Sequence, residues 1–210
     1  MTLHLWEVTQ KWLNSSTCPH SLYSNRELYY DNTKVTQMFT FLKKVEWRII
    51  MKSVIIYYSR SGNTAKIAKQ IQEKFSSDIV FVEPEEAYGN YVSSLFRVEV
   101  EMIKGKKPIA KTQIKDLSQY DVIFLGFPVW GGEMPVFMKE YIKECNIQDE
   151  IVVPFATAGS NGRKSSLECV HKLVSNCRDD LYFYTNILKK RNVEEWLCEV
   201  ETSLERMHVH

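Results

Sequence analysis

The chain of 210 residues carries 27 Lys and Arg against 26 Asp and Glu, with 44% apolar residues, 8 Gly and 6 Pro, a balance that excludes disordered, collagen-like and low-complexity sequence. A net charge of +1 provides no broad field for nucleic acid or an acidic membrane, which leaves small ligands and proteins as partners. No run approaches the roughly 18 apolar residues of a membrane span and the N-terminus lacks a secretory pattern, so a soluble, unexported, cytoplasmic protein is expected.

Residues 1–50 hold six basic residues (Lys11, Arg26, Lys34, Lys43, Lys44, Arg48) and four acidic ones (Glu7, Glu27, Asp31, Glu46), a net +2, which leaves −1 over residues 51–210. This extension shows two weak helical patterns, around Leu3, Trp6, Trp12 and Leu13 and around Val35, Met38, Phe39 and Leu42. It is too short to build a core alone. Because Met51 directly precedes the first strand, the extension reads either as sequence upstream of the true start or a disordered tail, or as a packed helical appendage or arm of a homodimer.

A domain over residues 51–210 is expected from the change of texture at Met51. Val54-Ile55-Ile56-Tyr57-Tyr58 is a continuous apolar run, the pattern of a strand covered on both faces. A polar turn over residues 59–64 follows, then Ile67, Ala68, Ile71 and Phe75 at helical spacing. Ile79-Val80-Phe81-Val82 predicts a second strand and Val122-Ile123-Phe124-Leu125 a third. A helix starting at Pro135, with proline at the first helical position, buries Phe137, Tyr141, Ile142 and Cys145. Ile151-Val152-Val153-Pro154-Phe155 is the fourth strand. Leu167, Val170, Leu173 and Val174 mark the next helix, and Leu181-Tyr182-Phe183-Tyr184 the fifth strand. Val193, Trp196, Leu197 and Val200 form the last helix, opened by Asn192 with Glu195 three residues on.

Buried strands joined by helices imply an α/β fold of three layers, a doubly wound five-stranded parallel sheet with helices on both faces, and ligands at the strands' carboxyl ends. The departure from alternation is residues 84–118, where Val92, Leu95, Phe96, Val98, Val100, Met102 and Ile103 suggest an irregular helix before the Lys104-Gly105-Lys106-Lys107-Pro108 break.

Candidate chemistry concentrates in three loops. After the first strand, Ser59-Arg60-Ser61-Gly62-Asn63-Thr64 offers three hydroxyls, an amide and a tight-turning glycine at a helix N-terminus, where backbone N–H groups and the helix dipole stabilise a phosphate. No lysine stands where a triphosphate loop needs one, and the G-x-G-x-x-G spacing is missing, so a single terminal phosphate fits better. After the third strand, Pro128-Val129-Trp130-Gly131-Gly132-Glu133 presents a flat ring and a movable backbone. After the fourth, Thr157-Ala158-Gly159-Ser160-Asn161-Gly162 is small and polar, suited to close approach by a planar ligand. The run through Arg163, Lys164 and Ser165 superficially matches a triphosphate loop, but Ala158 and Arg163 stand where its glycines belong.

The five cysteines (Cys18, Cys145, Cys169, Cys177, Cys198) form no C-x-x-C pair and read as reduced, mostly buried thiols. The five histidines are scattered, with His208 and His210 in a frayed tail, and no metal site is expected.

Through Tyr57-Tyr58-Ser59-Arg60-Ser61-Gly62-Asn63-Thr64, then Asp121-Val122-Ile123-Phe124-Leu125-Gly126-Phe127-Pro128-Val129-Trp130, and then the loop of residues 157–162, the sequence resembles the flavodoxin superfamily from about residue 52 to 199. The resemblance implies a strand order of 2-1-3-4-5 and bound FMN. It assigns the FMN phosphate to Ser59, Arg60, Ser61, Gly62, Asn63 and Thr64. The isoalloxazine then falls to Pro128, Val129, Trp130, Gly131, Gly132 and Glu133 and to Thr157, Ala158, Gly159, Ser160 and Gly162. Trp130 matches the family's stacking aromatic, with Tyr88 or Tyr91 as a second lid. Gly131 matches the glycine whose peptide accepts from reduced flavin N5–H, and Glu133 the carboxylate that accepts from N3–H.

Electron transfer through bound FMN to a redox partner protein is the first functional expectation, with no catalytic acid or base. The second is an NAD(P)H-dependent FMN oxidoreductase reducing a quinone or other small oxidant, favoured by the near-neutral charge and the long excursion. The third is a partner-binding module without flavin. Carriers of this family tend to be strongly acidic, whereas this domain has only local acidic clusters, at Glu83, Glu85 and Glu86 and at Glu194, Glu195, Glu199, Glu201 and Glu205.

Overall fold

A computed structural model describes residues 51–85, 110–113 and 116–208. All of them fall within the unit Leu42–His210. The two helical patterns of the extension, the boundary between residues 50 and 51, the helix expected over residues 92–103, Glu86, the lid candidates Tyr88 and Tyr91, Cys18 and His210 lie outside the described residues.

Strand β1 (Ser53–Tyr57) is followed by helix α1 (Asn63–Phe75), β2 (Asp78–Phe81), β3 (Val122–Pro128), α2 (Val136–Glu144), β4 (Ile151–Ala158) and α3 (Arg163–His171). A short 3-10 turn (Asp179–Leu181), β5 (Phe183–Asn186) and α4 (Val193–His208) complete the chain. The strands form one parallel sheet in the order β2-β1-β3-β4-β5, as the resemblance implied.

Side chains alternate across a strand, so each continuous apolar run feeds two cores. Val54, Ile56, Tyr58, Ile123, Leu125 and Phe127 pack with Phe137, Tyr141 and Ile142 of α2 and Val170 of α3. Ile55, Val122, Phe124, Val153 and Phe155 pack with Ile67, Ile71 and Phe75 of α1 and with Trp196, Leu197 and Val200 of α4. Connection handedness explains this division. From β1 the chain steps one way to β2, and from β3 it steps the opposite way to β4 and β5, so right-handed crossovers put α1 on one face and α2 and α3 on the other. Trp196 anchors α4: its ring is fully buried and its Nε1 donates to the Leu181 carbonyl at 2.6 Å.

Strand ends are where the apolar pattern and the backbone part company. Both β3 and β4 run three residues beyond their expected ends at Leu125 and Phe155, through the pairs Gly126↔Phe155, Phe127↔Ala156 and Pro128↔Thr157. Ladder bonds need backbone, not bulk, so Gly126, Ala156 and Thr157 extend the strands without an apolar signal. As a result Pro128, Thr157 and Ala158, expected in loops, stand on strand ends. Leu181 closes the 3-10 turn and β5 starts at Phe183. Pro135 caps α2 from outside, with an extended ψ of 138°, instead of occupying its first turn.

The excursion after β2 leaves and returns at one place. Pro84 bridges Ala110, Lys111 N donates to Glu83 O at 2.8 Å, and the Thr112 hydroxyl donates to Phe81 O at 2.9 Å. Among the described residues no helix is long and apolar enough to cross a membrane.

Candidate functional site

The three loops follow β1, β3 and β4, so a parallel sheet delivers them to one edge, and β1 and β3 are the neighbours from which the chain turns opposite ways. In the first loop Gly62 caps α1 at φ +81°, a left-handed conformation that a side chain disfavours. The first-turn N–H groups of α1 have no carbonyl four residues earlier within the helix and point into this loop. Beside them the Ser59 hydroxyl is buried with no hydrogen-bond partner among the described residues. Such a group costs about 1–3 kcal/mol unless an acceptor arrives. Asn63 Nδ2 donates to Ser61 Oγ at 3.3 Å, and both side chains are exposed at the mouth.

Thr64 points the other way from its exposed neighbours: it is buried, and its hydroxyl lies 2.8 Å from that of Thr157 on β4. In a hydroxyl pair one group donates to the other, so one proton remains for a further acceptor. The first and third loops are joined at this bond.

The second loop is a two-residue hairpin. Trp130 N donates to Glu133 O at 2.9 Å and Glu133 N to Trp130 O at 3.1 Å. Between them Gly131 and Gly132 take φ +59° and +88°, the pair of positive angles that a type I′ turn requires and that side chains resist. The half-buried Trp130 ring meets Tyr58 edge-on, 5.8 Å between centroids at 86°, and the Arg60 guanidinium stands 6.0 Å over it. Burial raises the Tyr58 hydroxyl above its ordinary pKa, and the Arg60 charge offsets part of that. Glu133 Oε2 accepts from Lys139 Nζ of α2 at 2.7 Å, which holds the carboxylate at the turn's base.

The third loop is fixed from β5 and α3. Ser160 O accepts from the Tyr184 hydroxyl at 2.6 Å and from Asn186 Nδ2 at 3.1 Å. Gly162 caps α3, and its carbonyl accepts from Ser166 Oγ at 2.5 Å. The buried Ser166 hydroxyl also lies 2.8 Å from that of Tyr182. A β-carbon at Gly162 would come within 3.0 Å of Val129 Cγ1, so the second and third loops touch here. Ser165 Oγ donates to Gly132 O at 2.7 Å, tying the hairpin to α3, while Val129 N donates to Thr157 O at 2.8 Å. Gly159 has open space around it.

The expected site residues therefore converge on one edge, with an anion-ready mouth beside an aromatic hairpin and a small polar loop. Residues 52–200 match the family model described as flavodoxin. The chain belongs to the flavodoxin family. A candidate flavoprotein from Bacteroides uniformis is similar at 24% identity, covering 70% of this chain and 98% of that one, with a TM-score of 0.60. A flavoprotein from Lactobacillus acidophilus, solved in complex with FMN, is similar at 22% identity over 70% of this chain and 98% of its own, with a TM-score of 0.57. No curated protein matches.

Residues that contribute to this edge without being assigned to it from sequence include Tyr58, Lys139, Ser165, Tyr184 and Asn186. Ser165 has a positional signal, since it lies three residues after Gly162 in the first turn of α3. Asn186 does too, as a polar residue ending an apolar strand. Its side chain accepts from Leu188 N at 3.0 Å and Lys189 N at 2.6 Å while its amide reaches Ser160. Tyr58 and Tyr184 read only as apolar strand residues.

Proposed function

We propose that this flavodoxin-family protein binds FMN at the three-loop edge and transfers electrons through it to a redox partner protein. The observation that carries the reading is the buried Ser59 hydroxyl, without a partner among the described residues, beside the N-terminus of α1, a donor set suited to a phosphate. The FMN complex of the Lactobacillus acidophilus relative supports the choice of flavin. Bound FMN would supply reversible one- and two-electron chemistry.

The chain's residues then have distinct tasks. Ser59, Ser61, Asn63 and the first-turn N–H groups hold the phosphate, and the spare proton of the Thr64–Thr157 pair adds a donor. Trp130, braced edge-on by Tyr58, offers an apolar face that excludes water and makes added negative charge on its neighbour costly. Gly131 supplies a backbone acceptor in a turn free of side-chain hindrance. Glu133 presents its second carboxylate oxygen as a further acceptor while Lys139 holds it in place. Residues 157–162 supply a close backbone wall. No side chain is required as acid or base.

The FMN-loaded protein, mixed anaerobically with NADPH or NADH and followed by its visible absorbance, tests the electron-transfer role. Retained colour that dithionite bleaches is expected of a carrier fed by a reductase. Rapid bleaching by NAD(P)H would replace it with the oxidoreductase reading, and failure to retain FMN would favour a flavin-free binding module.

A further inference from the structure

The amino edge of the sheet, opposite the flavin loops, carries a second cluster of chemically reactive side chains. His171 ends α3, Cys177 forms an isolated bridge with Val152 near the start of β4, and Asp179 opens the 3-10 turn before β5. One ligand atom from each lies within 4.8 Å of the other two, and His171 Nε2 is 2.8 Å from the Asp179 carboxylate. Val152 and Thr157 are five residues apart along β4, which separates the cluster from the flavin loops by roughly 17 Å at ~3.3 Å per residue.

The three side chains hang from fixed backbone. Val152 N donates to Asn176 O at 2.9 Å and Arg178 N to Val152 O at 2.8 Å, clamping Cys177 between two sheet-like bonds. Tyr182 N donates to Asp179 O at 3.2 Å. Of the two cations between them in sequence, Lys172 is exposed and Arg178 is directed elsewhere, since it forks onto Asp180 at 2.8 and 2.6 Å and reaches Ser203 at 2.8 Å.

Two kinds of chemistry use these residue types. A nucleophilic thiol needs the imidazole bonded to the sulfur, with the carboxylate behind the imidazole. Here the imidazole bonds the carboxylate and makes no hydrogen bond to Cys177 among the described residues. Metal binding needs instead that the three atoms converge on one point. Tetrahedral zinc at about 2.0–2.3 Å from N, O and S ligands spaces them roughly 3.3–3.8 Å apart. The three atoms already lie within 4.8 Å of one another, and His171 and Asp179 are exposed while the sulfur is half-buried, so binding requires only that these two side chains turn.

We propose that His171 Nε2, Cys177 Sγ and an Asp179 carboxylate oxygen form a binding site for a zinc-class divalent cation, with water in the fourth position. The mixed nitrogen, sulfur and oxygen set suits a borderline-soft ion and not magnesium or calcium. Thiolate and carboxylate together balance the two positive charges, and the thiol proton passes to solvent on binding. The ion ties the end of α3 to the turn that leads into β5. This site is independent of the flavin reading.

The full chain, stripped with EDTA and titrated with Co2+, tests it. One equivalent is expected to give a near-ultraviolet thiolate-to-cobalt absorption that Zn2+ displaces. Cys177→Ser is expected to abolish the band, and Cys198→Ser, at an exposed cysteine outside the cluster, to keep it. His171→Ala, an exposed change that leaves the core intact, is expected to weaken binding by at least the ~10–100-fold typical of losing even an outer-shell partner, and to remove any zinc-dependent rise in Tm. Absence of the thiolate band, a band that survives Cys177→Ser, or wild-type affinity in His171→Ala would each overturn the proposal.

Discussion

A β-carbon placed on Gly126 would lie 2.1 Å from the ring of Phe155, its register partner on β4. The ring fills the space that the missing side chain leaves, and Phe155 in turn packs toward Trp196, 6.3 Å between centroids. Gly126→Ala must displace Phe155 within a closed core, so a loss of about 1–3 kcal/mol is expected. A lower urea midpoint with unchanged slope would report it, and an unchanged midpoint would contradict this packing. Ser59 is the complementary residue: Ser59→Ala removes a buried hydroxyl without a partner among the described residues, so it is expected to leave Tm unchanged or slightly raised while weakening an anionic ligand. A large fall in Tm would mean the hydroxyl has a structural bond instead.

Among the elements, α4 shows how caps and burial combine. Asn192 Oδ1 accepts from Glu194 N at 3.0 Å, so the expected cap forms, with its bond to the second helical residue. Asn192→Ala is expected to cost about 1 kcal/mol, measurable as a fall in Tm, and no fall would mean that the cap does not stabilise α4. The apolar runs of β1, β3 and β4 and the spacing of Ile67, Ile71 and Phe75 made the sheet, its two helix layers and the edge that carries the loops legible in sequence. Strand ends were not legible, because Gly126, Ala156 and Thr157 continue the ladder through backbone alone. The residues of the loop after β1 were legible as a group, since hydroxyls, amide and glycine adjoin in sequence. Bonds between loops were not, because Thr64 and Thr157 are 93 residues apart and Ser165 and Gly132 are 33 apart.

At the scale of the molecule, relatives with TM-scores of 0.60 and 0.57 have 98% of their own chains covered by about 70% of this one. A flavodoxin fold is thus complete without a counterpart to every segment here. Residues 51–210 expressed alone are expected to fold cooperatively and to bind FMN as the full chain does. Loss of either property would give residues 1–50 a part in the domain.

On the proposed function the loop after β1 recognises the FMN phosphate. Titrating the apoprotein with FMN and with riboflavin, by quenching of flavin fluorescence, separates the phosphate from the ring. FMN is expected to bind at least ~10-fold more tightly than riboflavin, since charge-assisted bonds contribute about 1.5–3 kcal/mol each, and Ser59→Ala is expected to narrow that gap. Equal affinities for the two flavins in the wild-type protein, or no binding of FMN, would contradict it.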